Sequence, residues 1–174
     1  ADTEVLVHGY EEWGPDGLAE RLDGMFAFGL WDEGRGVLSL VRDRIGVKPV
    51  YFTQASGAFL FASEIKALFS DPAVPRDLDA AALNHYLSFL VAPAPLTMFK
   101  DIFKLPAGHI LRVDSTGALE ATRYWDAVPG KGIDLGELTG MSENAQEDFY
   151  TTGIRERLET SIEKRMMSDV PFGV

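Results

Sequence analysis

Residues 25–62 read MFAFGLWDEGRGVLSLVRDRIGVKPVYFTQASGAFLFA, and this stretch decides the fold. It contains four short apolar runs separated by glycine-containing turns. Short runs rich in Val and aromatic residues between such turns are typical of consecutive antiparallel strands. Several runs are apolar at successive positions, as expected for a sheet that is covered on both faces. We therefore predict a layered α+β sandwich with strands at Met25–Trp31, Val37–Val41, Val50–Phe52 and Phe59–Ala62.

Helical periodicity lies on both sides of these strands. A break is expected at Gly14-Pro15-Asp16-Gly17, since glycine ends a helix and proline suits the first turn of the next one. Asp79 is a predicted N-cap, because its carboxylate can accept a hydrogen bond from the first helical turn. The predicted helices cover Asp2–Trp13, Pro15–Leu22, Ile65–Phe69 and Ala80–Leu90, and a late hairpin covers Ile110–Val113 and Leu119–Tyr124.

The pattern changes after residue 128. Residues 129–142 are rich in glycine and have little periodicity, which predicts a linker. Residues 143–167 then form a long helical pattern with apolar positions four residues apart, and Val170–Val174 is typical of the start of a buried strand. We expect a domain boundary at the linker.

The composition limits the possible partners. The chain of 174 residues is 46% hydrophobic with a formal net charge of -11, so it can bury a core but would repel nucleic acid and anionic membranes. No apolar stretch reaches the ~20 residues of a membrane span, and the first residues lack the layout of a signal peptide. We therefore expect a cytoplasmic protein.

There are no cysteines, which excludes disulfides and thiol nucleophiles within these residues.

Four segments together have the order and spacing of a known family. They are Arg21–Phe28, Arg42–Phe52, Phe61–Leu68 and Ser168–Val174. The first three resemble the second half of the glutaminase domain of glutamine-hydrolysing asparagine synthetases. The fourth is similar to the strand that begins their ATP-pyrophosphatase domain.

The resemblance implies a fold and a domain division. The fold would be part of an N-terminal-nucleophile hydrolase sandwich, with two antiparallel sheets between helical layers (α/β/β/α). Residues 1–128 would be the C-terminal part of a class II glutamine amidotransferase domain and residues 129–142 a linker. Residues 143–174 would be the first helix and strand of an α/β ATP-pyrophosphatase domain.

The resemblance also implies the chemistry of a longer parent protein. In this family an N-terminal cysteine attacks the glutamine amide with its own α-amine as base. The released ammonia passes to an aspartyl-adenylate made from ATP, and asparagine is formed. The implied substrates are glutamine, aspartate and ATP, with Mg²⁺ as cofactor, and a homodimer is expected. The nucleophile would precede Ala1 and the phosphate loop would follow Val174, so this chain alone is expected to be inactive.

Six residues are candidates for a functional role. Asp2 resembles the aspartate that holds the α-ammonium group of glutamine, although it could instead cap the first helix. Arg42, Asp43 and Arg44 could line a channel, but ion pairs that pin a turn are the favoured interpretation. Ser63 is expected to cap a helix and Glu64 could face the path of ammonia. The scattered His8, His85 and His109 do not have the spacing of metal ligands.

Two other functions remain open from the sequence. The parent could be an amidotransferase of the same architecture with a different acceptor, as in β-lactam synthetases or other biosynthetic amidotransferases. Alternatively, the chain could be a non-catalytic scaffold or dimerisation module without a cysteine nucleophile.

Overall fold

The computed structural model describes residues 2–128, 135–166, 170–171 and 173. Two compact units are formed, one from residues 1–127 and the other from residues 128–174. In the first unit, α1 covers Asp2–Arg21 and its backbone breaks at Gly14, where φ is 67° and ψ is 179°. A positive φ is readily adopted only by glycine, so the presence of glycine at position 14 allows the helix to break there. The prediction of two short helices on either side of Gly14 is therefore confirmed.

Seven antiparallel strands form two sheets in the described part of the first unit. The first sheet has the order β1-β2-β6-β7 and the second has the order β4-β3-β5. The prediction of an α+β fold with antiparallel sheets is confirmed. The strands are β1 (Ala27–Asp32), β2 (Val37–Arg42), β3 (Tyr51–Ala55), β4 (Ala58–Ala62), β5 (Phe103–Lys104), β6 (His109–Val113) and β7 (Leu119–Arg123).

The four early strands do not form one continuous meander. β1 pairs with β2 and β3 pairs with β4, but β2 continues its sheet through β6, with Leu40 opposite Leu111. The chain leaves the first sheet after Arg42 and enters the second at Tyr51. The four predicted strands are therefore antiparallel within each hairpin, and the chain changes sheet between the hairpins so that their apolar faces are buried against each other.

The main core lies between the two sheets. Leu40, Leu111 and Val113 from the first sheet pack with Val50 and Phe52 at the start of the second. The neighbours of Leu40 and Leu111 in sequence point the other way, because side chains alternate across a strand. Both faces of β2 are consequently buried, as its apolar run predicted.

The opposite faces of the sheets are covered by helices. Ala19 of α1 packs with Val41 and Ile110 on the outer side of the first sheet. Leu68 of α2 (Ile65–Leu68) packs with Ala55 of the second sheet. Burial of this kind stabilises the fold by about 25 cal/mol for each Å² of apolar surface removed from water.

Helix α3 (Ala80–Phe89) begins as predicted. The Asp79 side chain accepts a hydrogen bond from the Ala82 amide at 2.8 Å. The helix ends at Leu90, which has a left-handed conformation with φ of 61° and is 79% exposed. Leucine seldom adopts this conformation because its Cβ approaches the following carbonyl oxygen.

The second unit contains a 3-10 turn at Leu135–Leu138 and helix α4 at Glu143–Arg165. Ser142 caps α4 through the Ala145 amide, at 3.3 Å. Of the predicted linker, residues 129–134 lie outside the described residues, and residues 135–138 are helical. The predicted strand at Val170–Val174 lies largely outside them, while Val170 is 69% exposed and is not in a strand.

Candidate functional site at the inter-sheet cavity

A cavity of about 160 Å³ opens between the two sheets at the side where β1 and β4 are edge strands. Its walls come from both sheets and from the crossover between them, and the Ser63 side of the cavity is exposed to solvent. The lining residues are Ala27, Phe28, Gly29, Leu40, Pro49, Val50, Phe61, Ala62 and Ser63.

Gly29 provides the room inside this cavity. A Cβ atom at this position would lie 3.1 Å from both the Phe61 ring and the Leu40 side chain. None of the nine lining side chains is ionisable. Apolar walls without a fixed charge favour a small uncharged molecule over an ion, since an ion would lose hydration without compensation.

Pro49 and Val50 bring the crossover between β2 and β3 to the cavity, and Arg42 holds this crossover together. The Arg42 guanidinium donates to three backbone carbonyls, those of Lys48 at 2.8 Å, Leu105 at 2.5 Å and Gly46 at 2.6 Å. Arg42 is 8% exposed, and this burial lowers the pKa of its guanidinium below the usual value. Because Leu105 follows β5, one side chain of the first sheet is bonded to the backbone of the second.

Asp43 organises the turn that follows. Its carboxylate is fully buried and accepts the amides of Val47 and Lys48, each at 2.9 Å. Its backbone carbonyl accepts the amides of Gly46 and Gly108. Gly46 has a φ of +71°, and a Cβ there would lie 2.9 Å from the Arg42 guanidinium. A compact turn with a glycine at this position therefore closes around the arginine.

Arg44 points in the other direction, toward α1. It donates to the carbonyls of Leu22 and Glu20, both at 2.8 Å, and lies 4.0 Å from Asp23. The predicted structural cluster therefore pins the turn chiefly through hydrogen bonds to backbone carbonyls and amides, with this ion pair as an addition. A channel role for Arg42, Asp43 and Arg44 stays a prediction.

Tyr124 closes the crossover from the side of β7. Its hydroxyl donates to the Arg42 carbonyl at 2.8 Å. Burial raises the pKa of Tyr124 to about 12, the Arg44 charge opposes this shift and the Asp43 charge adds to it. Lys104 lies in the same region. Its pKa is lowered mainly by burial, and repulsion from the Arg42 charge adds to this shift.

The remaining candidates lie at the edge of the cavity or outside it. Glu64, and not Ser63, occupies the N-cap position of α2, and no side chain caps that helix. Glu64 instead forms a 2.6 Å ion pair with the exposed Lys66. Asp2 begins α1, and its side chain lies outside what the structure describes. The structure thus brings Ser63 to the cavity, and the ligand roles of Asp2 and Glu64 stay predictions.

Two features within the described ranges bear on other kinds of function. No group of three or more His, Asp or Glu side chains there is arranged to hold a metal ion. The helices described there are too short or too polar to cross a bilayer.

Sequence reasoning missed two polar contacts that hold α1 on the first sheet. Tyr10 donates to Asp32 at 2.6 Å, and Arg112 donates to Asp16 at 2.5 Å. Asp32 precedes a glycine-rich turn, where aspartate is common for local reasons, so its sequence context does not indicate a helix partner.

Comparison with known proteins fits this architecture. The profile of a glutamine amidotransferase domain family matches residues 1–125. Among curated relatives, asparagine synthetase [glutamine-hydrolyzing] 3 of Bacillus subtilis is 34% identical over 98% of this chain and 26% of its own length. Asparagine synthetase [glutamine-hydrolyzing] 2 of the same organism is 36% identical over 100% of this chain and 23% of its own length. Amidase chry2 of Gibberella zeae is 32% identical over 100% of this chain and 24% of its own length.

These matches define the class of protein. The chain belongs to the glutamine amidotransferase domain family. Within that class, its sequence is similar to glutamine-hydrolysing asparagine synthetases along nearly its whole length, which confirms the resemblance. The chain spans about a quarter of the length of these relatives.

Proposed function

We propose that this chain is part of a glutamine-hydrolysing asparagine synthetase. The observation that carries the proposal is the extent of the similarity. The family profile ends at residue 125, whereas the alignments with asparagine synthetases cover 98% to 100% of the chain, so they also include most of the residues after 125. A shared glutaminase domain alone would not require similarity in that second part.

In the proposed reaction, water and glutamine give glutamate and ammonia through a thioester on an N-terminal cysteine, which this chain lacks. Aspartate and ATP give aspartyl-adenylate and pyrophosphate, and ammonia then displaces AMP to form asparagine. The described residues would form a wall of the glutaminase domain, of the N-terminal-nucleophile hydrolase type. Asp2 would bind the α-ammonium of glutamine. We assign the inter-sheet cavity to this wall, and the absence of ionisable side chains from its lining supports the assignment.

ATP and Mg²⁺ would be held by other parts of the parent protein. The resemblance implies a Ser-Gly-Gly-x-Asp-Ser loop whose backbone amides bind phosphate, and the sequence given does not contain this motif. We therefore assign no step at ATP to these residues. Residues 143–174 would begin the ATP-pyrophosphatase domain, and the parent would be a cytoplasmic homodimer.

The full reading frame provides the test. We expect the purified protein to form asparagine from glutamine, aspartate, ATP and Mg²⁺, with glutamate released in equal amount. Replacing the N-terminal cysteine of the parent by alanine should abolish synthesis from glutamine and leave synthesis from added ammonia intact. Loss of both activities in that variant would contradict separate glutaminase and synthetase sites.

A second candidate is an amidotransferase with a different acceptor. It is favoured by the relative named an amidase, whose similarity also covers the whole chain. Glutamine hydrolysis without asparagine formation would support this candidate. A reading frame with no N-terminal cysteine would instead support a non-catalytic scaffold.

A further inference from the structure

The two halves of α1 are held to the protein in different ways. The break at Gly14 separates a first half, residues 2–13, from a second half, residues 15–21. The second half carries Leu18 and Ala19, which are 1% and 0% exposed, and Asp16 is bonded to Arg112 of β6. Apolar burial and an ion pair therefore fix the second half on the first sheet.

The first half is poorly packed by comparison. Val5 is 58% exposed, Val7 is 49% exposed and Trp13 is 46% exposed. The buried apolar side chains of α1 in the described residues both follow Gly14. Gly9 is buried close to Leu18 of the second half, but the first half contributes no buried apolar side chain of its own among the described residues. We therefore expect its polar contact with the sheet to have a large influence on its position.

That contact is the hydrogen bond from the Tyr10 hydroxyl to Asp32 Oδ2, at 2.6 Å. The Asp32 carboxylate is held in a fixed position in which it can accept this hydrogen bond. Its Oδ1 accepts the Arg35 amide at 2.9 Å, and the Arg35 Nε lies 3.7 Å from Oδ2. The carboxylate is therefore held at the end of β1 by the turn that follows, and it presents a fixed acceptor to the helix.

We propose that Tyr10 and Asp32 are positioning residues that set the first half of α1, and with it Asp2, for glutamine binding. This inference rests on the proposed function. Asp2 lies 12 residues before Gly14, a distance of about 18 Å along a helix. A tilt of roughly 5° about Gly14 would displace Asp2 by about 1.6 Å, a shift that matters for a charged contact with a substrate.

The test uses the full-length enzyme and the variant Tyr10→Phe, which removes only the hydroxyl. We expect the KM for glutamine to rise about tenfold, as for loss of a hydrogen bond to a charged group, with kcat for glutamine hydrolysis unchanged. Synthesis from added ammonia should also be unchanged. Asp32→Asn keeps an acceptor oxygen and should give a smaller increase in KM than Asp32→Ala.

Asp16→Asn is the matched control. It weakens the contact of the second half of α1, so it should lower the melting temperature without raising the KM for glutamine. An unchanged KM in Tyr10→Phe, or an equal increase in Asp16→Asn, would overturn this proposal alone. Wild-type enzyme that does not hydrolyse glutamine would overturn the proposed function and this proposal together.

Discussion

Arg42 shows how one buried side chain can hold two sheets together. Its three hydrogen bonds all go to backbone carbonyls, and one of these belongs to Leu105, 63 positions away. A planar guanidinium can reach three acceptors from one position, whereas a lysine ammonium on a flexible stem acts as a single point charge. The crossover therefore depends on the shape of the arginine as well as on its charge.

We expect Arg42→Lys to destabilise the protein by about 2–4 kcal/mol, because at least one buried carbonyl would lose its partner. The measurement is urea unfolding of the full-length protein. Arg123→Lys is the control, since Arg123 is an exposed arginine whose side chain is paired with Asp126, and its effect should stay within about 0.5 kcal/mol. Equal effects of the two variants would contradict the role given to Arg42.

Tyr124 gives a prediction for alkaline pH. Burial raises the pKa of Tyr124 from 10.0 to about 12 in the folded protein, so the neutral form is favoured by folding. This stabilisation is fully present below pH 10 and is lost as the pH rises toward 12, because the unfolded state releases its proton first. In Tyr124→Phe the free energy of unfolding should fall less steeply between pH 10 and 12. An identical slope in both proteins would show that the hydroxyl does not titrate in this way.

At the scale of the elements, α3 ends on an unfavourable residue. Leu90 has a φ of 61° and is 79% exposed, so it has the strain of the left-handed region without the benefit of burial. We expect Leu90→Gly to stabilise the protein by about 1 kcal/mol, since glycine adopts this conformation without the Cβ contact. Thermal unfolding provides the measurement. Leu90→Ala, which keeps the Cβ atom, should give little or no gain.

The elements themselves could be predicted from local sequence. The apolar runs and the glycines between them mark each strand, and Asp79 marks the start of α3, because these signals act within a few residues. The transfer of the chain from one sheet to the other could not be predicted. The pairing of Leu40 with Leu111 depends on residues far apart in sequence, and many apolar strands would suit β2 equally well.

The candidate site shows the same limit. The charged cluster at Arg42 and Asp43 could be recognised as structural, since it lies between a strand and a turn. Its partners could not be named, because backbone carbonyls and amides carry no sequence signal of their own. The contact of Tyr10 with Asp32 was missed for a similar reason, since it depends on how α1 crosses the end of β1.

At the scale of the whole molecule, α4 presents apolar side chains to solvent. Ile154, Leu158 and Ile162 are each more than half exposed and lie four residues apart. Such a row is the kind of ridge that packs against another helix. The sequence predicted the ridge, and the second unit leaves it uncovered among the described residues.

We therefore expect the isolated chain of 174 residues to self-associate. Replacing Ile154, Leu158 and Ile162 together by glutamine should reduce the association, because glutamine keeps the helix and removes the apolar ridge. The mass measured by light scattering after size exclusion tests this. Replacing Glu156, Glu159 and Glu163 by glutamine is the matched control and should not reduce it. Association that persists in the first variant would show that another surface is responsible.

The distance in sequence between β2 and β6 has a consequence for biosynthesis. β2 leaves the ribosome with its hairpin partner β1, but its other partner follows about seventy residues later. At a synthesis rate of 5–20 residues per second, the edge of β2 would remain unpaired for about 4–14 s until β6 is synthesised. The hairpin of β3 and β4 is complete within that interval and can cover the inner face of β2 first. The order of synthesis thus lets the two sheets pack together before β6 pairs with β2, which shortens the time during which the inner apolar face of β2 is exposed in the nascent chain.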